Sequence, residues 1–166
     1  MASKIRLPMK MVITGPECSG KTTLSKKIAD YFHVKRNLEY ARFYLNKLTR
    51  EYKKNDLLHI AKKQLISEID CKILDTDLIT IKIWSEYKYG DCHHWIKDQI
   101  VKQQNENRVY LLCKPDIKWE ADKLREHPFS RNILYELYEK ELNTLNHEYY
   151  VVDKNNPIKF YKKYLD

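Results

Sequence analysis

The sequence predicts an α/β fold, a parallel sheet with helices packed on both faces. Three observations carry this. Short apolar runs alternate with segments of helical periodicity along the chain. Val109 to Cys113 (VYLLC) is apolar throughout, as expected for a strand covered on both faces. Lys10 to Thr14 (KMVIT) ends at a glycine-bounded loop that opens into a helix. The 166 residues suffice for one compact domain over 1–166 and are too few for two ordinary ones.

In chain order, Lys10–Thr14 is the first strand. Thr22 to Phe32 follows as a helix, with Leu24, Ile28 and Phe32 on one face. Arg36 to Glu39 reads as a short second strand. Tyr40–Tyr52 and Asp56–Ile69 read as helices, the second capped by Asn55 or Asp56. Cys71 to Leu74 is a further apolar run, ending in Asp75-Thr76-Asp77. Leu78–Tyr87 is helical, Gly90 marks a break, and Trp95–Lys102 is weakly helical. After the Val109–Cys113 strand, Pro115 stops the run, and Trp119–Glu126 and Arg131–Leu145 carry helical patterns. Tyr149–Val152 is a last strand, and Pro157 opens a final helix at a favoured position.

The loop after the first strand meets the pattern G-x-x-x-x-G-K-[ST] at Gly15, Gly20, Lys21 and Thr22. Each position has a physical task. The glycines let backbone N–H groups converge on phosphate oxygens, and the following helix adds its N-terminal dipole. Lys21 reaches the β- and γ-phosphates, and the Thr22 hydroxyl ligates Mg²⁺. The loop Gly15, Pro16, Glu17, Cys18, Ser19, Gly20, Lys21, Thr22 and Thr23 is therefore the expected ATP-binding segment. Of the chain's three glycines, two stand at the motif's fixed positions, which argues against coincidence.

A phosphate loop needs a carboxylate to organise the metal and a group to orient the phosphoryl acceptor. Asp75 and Asp77 follow a strand at the edge where parallel α/β sheets bind ligands. Asp75 is favoured for metal or acceptor chemistry, whereas Asp77 suits a helix N-cap. Glu39 and Arg42 admit two readings, an acceptor clamp or a surface ion pair across one helical turn. Asp122, Arg125 and Arg131 flank a break at His127-Pro128. They read either as a closing charge clamp or as solvated helix charge. Trp84 and Trp119 read either as stacking surfaces for a heterocycle or as core.

Composition narrows the classes. The formal charge is +8, but lysine outnumbers arginine 24 to 7, a lysine-written surface rather than a nucleic-acid stripe. A positive surface still suits steering of an anionic ligand such as ATP. No apolar run is long enough for a bilayer span or a signal-peptide core, so a soluble cytoplasmic protein with no membrane or nucleic-acid partner is expected. A homo-oligomer is left open. Cys18, Cys71, Cys92 and Cys113 form no C-x-x-C pair and read as reduced thiols. Cys18 reads as a tolerated small residue or a redox-sensitive thiol. The adjacent Cys92, His93 and His94 make a poor zinc set, since neighbours in sequence rarely converge on one tetrahedral ion.

Four segments in order, Gly15 to Leu24 (GPECSGKTTL), Glu39 to Arg42 (EYAR), Asp75 to Thr80 (DTDLIT) and Tyr110 to Arg125 (YLLCKPDIKWEADKLR), resemble the ribosylnicotinamide kinase domain of NadR-type bacterial proteins. The phosphate loop is common to many families, but the E-Y-x-R, D-T-D-x-x-T and W-x-x-D-x-x-R combination is much narrower. The resemblance implies a P-loop kinase-like three-layer sandwich with five parallel strands and a small helical lid near Asp122–Arg131. It implies an ATP- and Mg²⁺-dependent kinase that converts nicotinamide riboside to nicotinamide mononucleotide. Glu39, Arg42, Asp75, Asp77, Asp122 and Arg125 then become site residues, with Trp84 or Trp119 near the acceptor. The adenylyltransferase domain that often precedes this kinase is not expected, since the loop opens at Gly15. Two other readings stand: a P-loop kinase for another nucleoside or small metabolite, and a non-kinase ATP-binding regulatory module.

Overall fold

The computed structural model describes residues 9–155. Its strands are β1 (Lys10–Thr14), β2 (Ile73–Asp75), β3 (Arg108–Cys113) and β4 (Glu148–Val152). They form one sheet in the order β2-β1-β3-β4, with every neighbouring pair parallel. The described helices are α1 (Lys21–Phe32), α2 (Tyr40–Lys47), α3 (Lys54–Ser67), α4 (Leu78–Tyr89), α5 (His94–Gln103) and α6 (Arg131–Thr144).

Side-chain alternation along β1 explains the layers. Met11 and Ile13 pack with Leu24, Ile28, Ala29 and Phe32 of α1 on one face. Val12 faces the opposite side, where Leu57, Ile60, Leu78, Ile79, Ile96, Leu134 and Leu142 from α3, α4, α5 and α6 build the larger core. β3 alternates in step, Leu111 and Cys113 toward α1, Tyr110 and Leu112 toward the other helices.

Three expectations are corrected. The sheet has four strands among the described residues, not five. Arg36–Glu39 lies beside β2 but makes only a single bridge, Arg36 to Ile73. Asn37 then donates its amide N–H to the Ile73 carbonyl and turns its side chain to β2, and Glu39 already caps α2, so no ladder can extend. Trp119–Glu126 is irregular rather than helical, so the segment expected as a helical lid, called the lid segment below, is a loop. The helix expected from Tyr40 to Tyr52 stops at Lys47, because Leu48 is extended and the chain turns so that Arg50 can grip Asp56 at 2.7 and 2.9 Å. The helix expected from Pro157 lies outside the described residues. No described helix is long and apolar enough to cross a membrane.

Candidate active site

The C-terminal ends of β1 and β3 set the phosphate loop. Gly15 has φ 135°, and a Cβ there would lie 2.7 Å from the Cys113 carbonyl oxygen, so only glycine fits. Ser19 Oγ donates to the Pro16 carbonyl at 2.8 Å and braces the loop from within. Gly20, at φ 84°, is the N-cap of α1 and supplies no side-chain cap. The first-turn N–H groups of α1 are thus left for an external anion, and the turn holds no acidic residue to compete. By contrast, Asp77 caps α4 and His93 caps α5 with their own side chains. Lys21 Nζ rests on the Pro16 carbonyl at 2.6 Å, within the loop it would leave to meet a phosphate.

Loop residues 15–23 line a cavity of about 360 Å³ together with Glu39, Arg42, Thr80, Trp84, Tyr87, Arg125, His127 and Tyr138. That size suits a small ligand. Burial pushes the Glu39 carboxyl above its ordinary value, partly offset by Lys21. Asp75 is 1% exposed and does not itself line this cavity. Burial also raises its pKa, opposed by the Thr22 hydroxyl and by Lys21. Its Oδ2 is 3.7 Å from Arg36, its backbone N–H donates to Asn37 Oδ1 at 2.7 Å, and its buried Oδ1 has no hydrogen-bond partner among the described residues. An unsatisfied carboxylate oxygen beside a threonine hydroxyl is a hard-oxygen donor set of the kind Mg²⁺ takes.

Thr76 separates the two aspartates. It sits at φ 65°, costly for a β-branched residue, and its N–H is held by the Ile13 carbonyl at 3.0 Å. This turn sends Asp75 toward the loop and Asp77 away from it. Asp77 accepts from Ile79 N, Arg108 Nη1 and the Tyr110 hydroxyl, the last at 2.7 Å, and is fully buried. Asp77 does not line the cavity, and its carboxylate is engaged by a helix cap and a buried ion pair.

The lid segment is tied to the site by side chains. Arg42 Nη1 donates to Asp122 Oδ2 at 2.9 Å. Glu17, inside the phosphate loop, accepts from the backbone N–H of Glu126 at 3.1 Å and of His127 at 3.1 Å. Arg125 lines the cavity and donates to the Glu120 carbonyl. Arg131 does not line it; its guanidinium donates to the carbonyls of Cys18 (3.0 Å) and Ile117 (3.1 Å), bracing the loop from behind. Trp119 also lies off the cavity, with the Arg131 guanidinium 5.5 Å from its ring centre. Asp122 reaches the cavity only through Arg42.

Sequence reasoning missed Arg36, Thr80, Tyr87 and Tyr138. Thr80 was visible as the last residue of D-T-D-x-x-T; the others carry no local pattern. All four cysteines are free thiols, and no cluster of three metal-ligating side chains occurs among the described residues.

A parallel sheet, a glycine-bounded loop and an uncapped helix N-terminus facing one cavity define an α/β P-loop kinase-like fold. The chain belongs to the family described as AAA domain, whose model matches residues 10–157. No curated protein matches it. Among solved structures it is similar to NadR in complex with NR, at 19% identity and TM-score 0.71 over 98% of this chain and 52% of that one. A deoxyadenosine kinase from M. mycoides with bound dCTP is similar at 15% identity and TM-score 0.59, over 95% of this chain and 98% of that one. A thymidylate kinase from Ehrlichia chaffeensis is similar at 17% identity and TM-score 0.58, over 89% and 88%. The chain spans about half the length of the NadR structures it matches.

Proposed function

We propose that this protein is an ATP-dependent kinase that phosphorylates nicotinamide riboside at its ribose 5′-hydroxyl. One observation carries the kinase reading: a single cavity joins the phosphate loop to the Glu39 carboxylate and to Trp84 and Tyr87. The narrower acceptor rests on the EYAR and DTDLIT segments and on the likeness to NadR with NR. Trp84 and Tyr87 offer π-faces, and Glu39 a carboxylate, to an acceptor whose ring is a flat cation.

In this reading the loop amides, the α1 N-terminus and Lys21 hold the triphosphate, and Lys21 exchanges Pro16 for a phosphate oxygen. Thr22 and Asp75 would hold Mg²⁺, which neutralises charge on the β- and γ-phosphates when bound. Glu39 accepts a hydrogen bond from the 5′-hydroxyl and takes its proton as the oxygen attacks the γ-phosphorus. The bond from that phosphorus to the β–γ bridging oxygen breaks, and ADP departs with the electron pair. Arg125, a lining residue of the cavity, would meet charge on the transferring group. Catalysis is mainly positioning and electrostatics.

The test is ATP consumption, with product identification, across nicotinamide riboside, the common nucleosides and deoxynucleosides, and their monophosphates. Nicotinamide riboside should give the highest kcat/KM and yield nicotinamide mononucleotide. A second reading, a deoxynucleoside kinase, is favoured by the match to nearly the whole length of the deoxyadenosine kinase. A deoxynucleoside leading the panel would establish it in place of the first.

A further inference from the structure

Tyr52 lies outside the cavity, in the turn before α3, and its phenolic oxygen is a junction. It accepts from Trp84 Nε1 at 3.0 Å and from Lys88 Nζ at 2.5 Å, both on α4. It donates to Glu126 Oε2 in the lid at 2.7 Å, and Lys88 closes the ring by donating to Glu126 Oε1 at 3.0 Å. The Tyr52 and Trp84 rings meet edge-on at 5.1 Å, and Lys88 Nζ sits 3.9 Å over the Tyr52 ring. Burial raises the phenol to about 12, so it stays protonated and keeps its proton for Glu126. The backbone N–H of Glu126 is in turn held by Glu17 of the phosphate loop. A continuous path of hydrogen bonds therefore runs from the indole that lines the cavity, through Tyr52, to the lid and the phosphate loop.

We infer that Tyr52 is a positioning residue: it fixes the Trp84 indole at the acceptor end of the cavity and couples that end to lid closure over the phosphate loop. A phenylalanine there keeps the ring packing but supplies neither the acceptor for Trp84 and Lys88 nor the donor for Glu126. An exposed surface network with no such role would tolerate the change, because each exposed pair contributes little by itself. A linked network should instead show non-additive losses.

The inference needs the full chain, with Tyr52→Phe, Glu126→Ala and the double variant, compared by amide hydrogen exchange without ligand. Tyr52→Phe should speed exchange over residues 120–130 by about five- to tenfold, the loss of a hydrogen bond to a charged group. The amides of β1 and β3 should exchange as in wild type. The double variant should exchange no faster than the faster single variant. In steady state, and here resting on the proposed function, Tyr52→Phe should raise the acceptor KM by a larger factor than it lowers kcat. Unchanged lid exchange, additive effects, or acceleration spread evenly over the sheet would overturn the role assigned to Tyr52. Should the wild-type protein phosphorylate no nucleoside, the functional reading fails while the exchange data still decide Tyr52.

Discussion

Arg42 and Asp122 meet at 2.9 Å across 80 residues of sequence, joining α2 to the lid segment after β3. The backbone N–H of Leu124, at 2.9 Å, and the Arg42 guanidinium together hold the Asp122 carboxyl below the usual carboxylate range. Arg42 and Asp122 side chains are 46% and 30% exposed, so solvent screens the pair and little stability rests on it. Its consequence lies in where it holds Arg42, a cavity-lining side chain. Asp122→Asn should leave the Tm within error of wild type but raise the acceptor KM several-fold, and 0.5 M salt should weaken acceptor binding in wild type more than in the variant. The measurement is steady-state kinetics at two ionic strengths beside a thermal melt.

Gly15 is constrained by its neighbour rather than by the ligand. At φ 135° with the Cys113 carbonyl oxygen 2.7 Å from a would-be Cβ, Gly15→Ala must push β1 and β3 apart at the phosphate edge. Overpacking combined with a strained backbone should cost on the order of 3 kcal/mol. Gly20→Ala meets only the flexible Ile117 Cδ1, at 3.9 Å, and is strained by its φ of 84° alone. Urea unfolding should therefore rank Gly15→Ala as the more destabilised of the two.

These two loop positions were readable in advance because the motif encodes a local backbone geometry. The strands at β1 and β3 were equally legible, their apolar runs bounded by glycine or proline. Asp77 as a cap was legible for the same reason: a short acceptor side chain stands two residues before the N–H it takes. What escaped was decided by distant partners. The helix after Tyr40 stops early because Asp56 gathers Arg50, the Tyr44 hydroxyl and the Lys53 N–H into one turn. Residues 118–120 are irregular where a helix was expected to start, held by Cys18 and with Arg131 against the Trp119 ring. Arg36 has no motif around it, yet it reaches both Ser25 and Asp75.

At the start of β3, Arg108 meets two buried carboxylates, Glu68 at 2.6 Å and Asp77 at 3.2 Å, and the more exposed Glu106 at 2.8 Å. Burial pushes Glu68 up to about 7 despite Arg108 and despite Lys10, whose ammonium is 3.8 Å away. Glu68 Oε1 also has no hydrogen-bond partner among the described residues. The sign follows from linkage. The folded pKa lies above the ordinary glutamate value of 4.5, so the folded state binds more protons between the two. The stabilising contribution is complete below the lower value and is lost as pH rises through about 7. Between pH 5 and pH 8 wild type should lose on the order of 2 kcal/mol that Glu68→Gln does not lose. Urea denaturation of both proteins at four pH values checks it; parallel curves would remove Glu68 as the source.

Glu39 and Asp75 share one end of the sheet but differ in what surrounds them, and their variants should separate accordingly. Glu39 lines the cavity and has Lys21 as its leading opposite charge. Asp75 is buried off the cavity, beside Thr22, with one oxygen unpartnered among the described residues. A group that orients or deprotonates the acceptor acts in the transition state, so Glu39→Gln should lower kcat by about 10²-fold whatever the Mg²⁺ concentration. A metal-supporting carboxylate acts on affinity for the ion, so Asp75→Asn should shift the Mg²⁺ activation curve to higher concentration and recover partly in excess. The pH profile adds an independent check. Because burial raises the Glu39 pKa, wild-type kcat should fall on the acid side at a pH above the ordinary glutamate range. Glu39 works ionised, so activity is lost as pH drops through that raised value, and Glu39→Gln should lack this limb. Initial rates over a Mg²⁺ series at several pH values, with saturating ATP and nicotinamide riboside, decide the matter. Rescue of Glu39→Gln by Mg²⁺ with none for Asp75→Asn would reverse the two roles, and full activity in both would send the search for the acceptor base to the remaining cavity residues.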